Sequence, residues 1–307
     1  MRTGECPHSE WVPLHDEVRD YEHGSSPPVA FVRCKACELV RQDPTPTPDA
    51  LRDTYPADYR AHLSTDDASP LARAVASLKA VQAELLLRQL RGLLPGKSAA
   101  ILEIGCGAGH LLRRLHAKGF TDLHGVDREP ELGRPLEALG IRYTACDLDE
   151  GLSLEGRFDA ILMHNVVEHL AYPERVLAAC AERLEPGGQL LVFTPNTASL
   201  SHRVFGRFWS GLHAPRHVLL HRPSTIRAVG RALGFDRVDV SFPTDPGSWA
   251  LSAQNLVEAR HAPGATLRYG TKPYTLGLLP LFYPVAVAES AMGRGSSMLA
   301  RLVSRPR

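Results

Sequence analysis

The chain has 307 residues, 44% hydrophobic and 22% charged, with a formal net charge of +1. That make-up belongs to a soluble globular protein with one large core and some appendages, since domains run to ~100–200 residues, and its near-neutral balance gives no reason to expect nucleic acid. The total hides an asymmetry: from Ser201 onward fourteen Arg and Lys stand against five acids, which suits an anionic acceptor, an anionic membrane surface or a merely solvated face.

At the amino terminus no basic stretch leads into an apolar core, so a cytoplasmic location is expected. Cys34-Lys35-Ala36-Cys37 is a C-x-x-C knuckle, whose thiolates can share one face of a tight turn and hold a tetrahedral zinc ion with two further ligands. The remaining cysteines, at 6, 106, 146 and 180, are spread too widely for a disulfide framework. After the Pro-rich run Asp43–Pro48 and the segment Tyr55–Tyr59, apolar positions Leu71, Val75, Leu78, Leu85, Leu86 and Leu90 predict a helix from about Pro70 to Leu94. It either covers the mouth of the pocket that follows or packs on a sheet edge.

The most informative stretch is Ile101–Leu112, where an apolar strand runs into Glu103, then Gly105, Gly107 and Gly109, then a helix over Leu111–Lys118. Glycines there let the backbone turn sharply with no Cβ facing a ligand, and the helix start offers free N–H groups. A second strand, Asp122–Val126, ends in Asp127, placed to accept hydrogen bonds from both hydroxyls of a ribose. A third, Ile141–Ala145, leads to Asp147, which could accept from an adenine amino group. A fourth, Phe158–Met163, precedes His164-Asn165-Val166-Val167-Glu168-His169. Tyr172–Leu184 then reads as a helix, Glu185–Gly188 as its stop and turn, and Gln189–Thr194 as a fifth strand.

The spacing G-x-G-x-G after Glu103 differs from the G-x-G-x-x-G of dinucleotide binders, which disfavours a nicotinamide-dependent oxidoreductase. It resembles the class I S-adenosylmethionine-dependent methyltransferases, whose first motif is E/D-x-G-x-G-x-G, and the phrase from Asn165 to Asn196 is similar to that family as well. The resemblance covers roughly Ala99 to Asn196. It implies an α/β fold with a doubly wound, seven-stranded, mostly parallel sheet. It also implies S-adenosylmethionine as cofactor, held by Glu103, Gly105, Cys106, Gly107, Gly109, Asp127, Arg128, Asp147, Leu148 and His164. Some members carry an amino-terminal zinc ribbon with two knuckles. That points to Cys6 and His8 beside Cys34 and Cys37 as ligands of a structural zinc, although Ser9 stands where a second knuckle has cysteine. His15 and His23 are rivals to His8, and a metal-free packed remnant is the alternative. The expected organisation is a zinc-ribbon-like module over 1–48, a linker and helix over 49–98, and a methyltransferase domain over 99–307.

Methyl transfer needs the acceptor atom held in line at near-attack distance, and a base only when the acceptor carries a proton. His217 and His169 are the candidate bases, with a structural ring as the alternative for each. Trp209, His213 and Arg216 are the candidate acceptor-binding residues, since similar enzymes carry a W…P-R-H phrase at this point. A helix over Ser224–Leu233 with Ser224 as cap, a strand Arg237–Ser241 and a last strand near Ser297–Val303 complete the sheet. Between those strands lies an insertion, about 242–295, whose apolar run Leu276–Ala288 is too short to span a bilayer. Burial against the protein's own core is its preferred reading; a lid, a dimer contact or an interfacial membrane anchor are the others. The expected activity is methylation of a small-molecule acceptor, foremost O-methylation of a sugar, polyketide or quinone-like phenol. N- or C-methylation and a non-catalytic binding partner are the alternatives.

Overall fold

The computed structural model describes residues 6, 8–22, 24, 26–55, 83–152, 155–260 and 273–306. The chain opens with an antiparallel meander of β1 (Trp11–Val18), β2 (Val29–Cys34) and β3 (Val40–Asp43). A fourth strand, β9 (Leu219–Leu220), joins it from far later in the sequence, with Val40 opposite Leu220. Val18, Phe31 and Val40 bury their side chains against Trp209, Leu212, Ala214 and Leu220, so the small sheet and the 209–220 segment share one core. The short helix α1 (Pro48–Arg52) starts where Thr47 accepts from the Ala50 N–H.

The large sheet takes β4 (Ala100–Ile104), β5 (Asp122–Asp127), β6 (Arg142–Ala145), β7 (Phe158–His164), β8 (Leu184–Pro195), β10 (Arg237–Ser241) and β11 (Ser297–Val303) in the order β10-β11-β8-β7-β4-β5-β6. β11 runs antiparallel to both neighbours and the other pairings are parallel. The inner strands are near-continuous apolar runs because helices cover both faces. Leu102 and Ile104 point into one core with Val176, Leu177 and Ile226, while Ile101 points into the other with Leu111, Leu112 and Leu115. Those layers come from α2 (His110–Ala117), α3 (Arg134–Glu137), α4 (Pro173–Glu182) and, beyond α5 (Leu200–Phe205), which packs through Phe205 on the core of the small sheet, α6 (Pro223–Ala232). The expected doubly wound, seven-stranded sheet is what the chain forms. It runs outward from β4 through β5 and β6, then returns to the other side of β4 at β7, which opens a crevice at the carboxyl ends of β4 and β7.

Some boundaries differ from the sequence reading. Glu185–Gly188 is a bulge inside β8, since the pairing jumps from Phe158 opposite Leu184 to Ala160 opposite Gln189. Thr225, not Ser224, secures the start of α6, its hydroxyl accepting from the Arg222 N–H at 2.9 Å. Of the helix expected over 70–94, residues 70–82 lie outside the described residues. The helical residues 83–89 bring Leu86 and Leu87, with Leu90 just beyond, onto the sheet beside Ile101 and Leu112.

The insertion folds as α7 (Pro246–Glu258) and α8 (Pro273–Ala291), joined by Trp249 donating to Glu289 at 2.8 Å. Burial of the 276–288 run holds for one face only: Ala286 is buried, whereas Leu276, Leu281, Tyr283 and Val287 are exposed. Among the described residues no helix is long and apolar enough to cross a membrane.

Candidate functional site

The glycine turn after β4 is built from backbone. Gly105, Gly107 and Gly109 all take positive φ, and a Cβ would stand 2.5 Å from Val166 at Gly105 and 2.4 Å from Leu136 at Gly109. Side chains there would close the crevice at the switch point, which is why the sequence repeats glycine. Asp127, at the tip of β5, accepts from the Gly107 N–H at 2.7 Å and from the Arg128 N–H at 2.8 Å. Glu103 is buried with no partner on Oε2, and that burial, with Asp127 nearby, pushes its carboxyl up to about 8. A backbone cradle that admits no side chain and an orphaned buried acid fit an adenosyl ligand rich in hydroxyl and ammonium donors.

The other expected cofactor residues gather on the same sheet edge. Cys106 is buried in the turn, and Arg128 lies 6.0 Å over the Tyr55 ring. Asp147, just beyond β6, is ion-paired with Arg52 of α1 at 2.6 Å, and Leu148 packs on the core beside it. His164 is exposed at the end of β7, edge-on to Phe193.

Beyond β7 the candidate bases His169 and His217 meet His213 in a cluster of imidazoles. The ring of His169 lies 4.4 Å from that of His217 and 6.0 Å from that of His213, each nearly perpendicular. Tyr55 hydrogen-bonds His169 Nδ1 through its hydroxyl at 2.8 Å, linking the cluster to the Arg128 side of the crevice. His217 is buried behind the other two and donates from Nδ1 to the Gly211 carbonyl at 2.8 Å. Its Nε2 lies 3.9 Å from Oε1 of the fully buried Glu168. Burial, with neighbouring His213 and Arg216, pushes His169 down to about 3. Burial with His169 and His213 holds His217 well below its ordinary value, while burial alone raises Glu168 to about 8. His213 differs: it is half-buried, takes the left-handed conformation at φ 32°, and pairs through Nε2 with Glu22.

Two placements depart from the sequence reading. Arg216, expected beside an acceptor anion, is wholly buried and forks onto Asp20 at 2.7 and 3.2 Å, so it ties the amino-terminal meander to the imidazole turn. Trp209 is buried in stacking contact with His202 and lines a small cleft together with Tyr21, Glu22, His213 and Asn255. The sequence alone assigns no role to Asp20, Glu22, Tyr55, Arg52 or Glu168. Nothing in the sequence pairs Asp20 with Arg216 across 196 positions, whereas Tyr55 and Glu168 stood in segments already singled out.

The four expected metal ligands do converge. Cys6 Sγ lies 3.4 Å from His8 Nδ1 and from the sulfurs of Cys34 and Cys37, and Cys34 Sγ lies 3.6 Å from His8 Nδ1. Of the rivals to His8, His15 hydrogen-bonds His202 at 2.9 Å instead, and His23 lies outside the described residues.

Residues 71–240 match a family model described as a methyltransferase domain. The ubiquinone biosynthesis O-methyltransferase of Cereibacter sphaeroides (strain ATCC 17023) is 32% identical over 185 residues, covering 55% of this chain and 74% of that protein. The protein of the same name from Dinoroseobacter shibae is 35% identical over 187 residues, again 55% and 74%. Among solved structures, a putative methyltransferase of Haloferax volcanii, seen in complex with the Trm112 methyltransferase activator, superimposes with a TM-score of 0.52. It is 16% identical, over 76% of this chain and 95% of that one. A Thermotoga maritima methyltransferase, described as a possible histamine N-methyltransferase, gives 0.50 at 16% identity over 80% and 100%. At such identities these two likenesses speak for the fold alone.

Proposed function

The chain belongs to the S-adenosylmethionine-dependent methyltransferases, and on that premise we propose that it methylates a hydroxyl of a small quinone-related phenol beside His213. The names of its relatives support an oxygen acceptor. The observation that carries the base is the Glu22–His213 pair, open to a cleft and adjoining the imidazole that Tyr55 links to the crevice.

S-Adenosylmethionine supplies an electrophilic methyl group when bound. Gly105, Gly107 and Gly109 would admit its methionine portion, Asp127 would take the ribose hydroxyls and Asp147 the adenine edge, while Glu103, held protonated by burial, would offer a neutral carboxyl beneath the turn. With Glu22 accepting from Nε2–H of His213, Nδ1 is left to take the acceptor's hydroxyl proton, and the imidazolium that forms is stabilised by the same carboxylate. His169 and His217, held neutral by burial, put no competing charge beside it. Arg216 acts as a positioning residue, since its Asp20 pair and its 3.4 Å approaches to Glu22 and His213 fix the turn. Incubation with labelled S-adenosylmethionine and a panel of catechols, phenols and amines tests this reading. Label on phenolic oxygen is expected, and it should be lost in Glu22→Gln; transfer only to amines would overturn it.

Cys6, His8, Cys34 and Cys37 are proposed to hold one zinc ion. Sulfur and nitrogen atoms 3.4–3.6 Å apart suit a tetrahedron with bonds of ~2.3 and ~2.0 Å, and four protein ligands leave no coordination position for chemistry. One equivalent of zinc by elemental analysis, with a lower melting temperature after chelation, is expected; metal-free protein of unchanged stability would overturn the assignment.

A further inference from the structure

We infer that α8 is an interfacial anchor that docks the protein on an anionic lipid bilayer. One face of α8 is fixed to the protein: Thr275 bonds Gln254, Phe282 packs 5.8 Å from Trp249, and Glu289 accepts from Trp249, Ser201 and Ser296. The rest of its circumference is uncharged and open, with Leu276 59%, Leu281 65% and Tyr283 56% exposed, and Val285 and Val287 beside them. A helix that is apolar all round belongs inside a protein or a membrane, not with one face left open to water. Single exposed leucines are ordinary; a run of this length without a charge is a contact surface.

Charge identifies the occupant. From Ala259 to the last residue the sequence has seven Arg and Lys, at 260, 268, 272, 294, 301, 305 and 307, against one acid, Glu289. That acid is buried, whereas Arg260, beyond the end of α7, and Arg294, beyond the end of α8, are exposed. A second copy of this chain would set like charges against each other across a two-fold contact, whereas anionic headgroups complement them. Depth follows from the prolines. Pro280 and Pro284 have no N–H, so the Leu276 and Pro280 carbonyls lack their helical donors and need water. That places α8 in the headgroup region, where Tyr274 and Tyr283 also suit an interface, and not across the bilayer. Gln254 both holds α8 and lines the cleft at His213, so docking brings that cleft to the membrane side. Only this last consequence, entry of a lipid-soluble acceptor, rests on the proposed function; the docking does not.

Vesicle flotation of the full chain tests the inference without turnover. Vesicles of phosphatidylcholine and phosphatidylglycerol, three to one, are expected to bind at least about tenfold more protein than phosphatidylcholine alone, with the difference lost at high salt. Leu281→Glu with Val287→Glu should abolish binding while leaving melting temperature and S-adenosylmethionine affinity unchanged; Leu276→Ser with Leu281→Ser serves if the glutamates disturb folding. Wild-type protein that ignores anionic vesicles, variants that still bind, or a dimer that the same substitutions split would each overturn the anchor.

Discussion

The crevice takes Glu103 to Gly109 from one uninterrupted stretch, with Asp127 one strand away, whereas the acceptor side collects Glu22, Tyr55, His169, His213 and Arg216 from four separate parts of the chain. The first is shaped by backbone conformation, with glycines where a Cβ would collide. The second is a side-chain network whose charges are set by burial and by each other. One region is set along a single stretch of backbone and the other by side chains that only the fold brings together, so substitutions should separate binding of the cofactor from chemistry on the acceptor.

The largest separation is expected at His213. His213→Ala should slow turnover by ~10²–10⁴, the usual range for a general base, with calorimetric affinity for S-adenosylmethionine unchanged. His217→Ala should cost less, because its ring lies behind the other two; the reverse order would return the base to His217. Next comes Arg216→Ala, which strands Asp20 and Glu22 in the interior and should destabilise the fold by ~3–5 kcal/mol in urea titrations. A small loss there would dissolve the claim that the acceptor side is tied to the meander through this pair. Asp127→Ala should weaken cofactor binding by ~1.5–3 kcal/mol with little change in acceptor KM. Unchanged affinity would remove Asp127 from the ribose.

The smallest effect is a pH profile. Burial holds His169 near 3, His221 near 4 and His217 well below 6.5, so the unfolded chain takes up protons that the native chain refuses as pH falls below 6.5, and stability is lost there. Glu103 and Glu168, near 8 against 4.5 unfolded, act with opposite sign, and stability is lost as pH rises from 4.5 towards 8. Burial holds His15, His124 and His202 down as well, so six histidines outweigh the two glutamates below 6.5, and above it the histidines no longer act while the glutamates lower stability. Melting temperature should therefore peak near pH 6.5 and fall on either side. A plateau from pH 6.5 to 8 would show that the two acids are not held protonated.

The same contrast explains what the sequence reveals. The glycine turn, the acid at the tip of β5 and the order of strands are legible because each depends on neighbours along the chain. The four zinc-ligand candidates could be named because two of them form a knuckle, yet Arg216 looked like a partner for an anion because Asp20 is 196 positions away. Folding removes its charge from the surface, and only the three-dimensional pairing shows it. Leu276–Ala288 misled for a related reason. An apolar run predicts burial without saying against what, and here the protein's own core covers one face. β9 is two residues long, too short for any alternation to announce that it closes the amino-terminal sheet.

The most direct test follows one methyl group. Protein incubated with S-adenosylmethionine labelled on the methyl carbon and with a catechol should yield a product carrying the label on oxygen, and the rate should fall sharply in His213→Ala while cofactor binding persists. A wild-type protein that binds S-adenosylmethionine but transfers no label to any hydroxyl, or a His213→Ala variant as fast as wild type, would contradict the account.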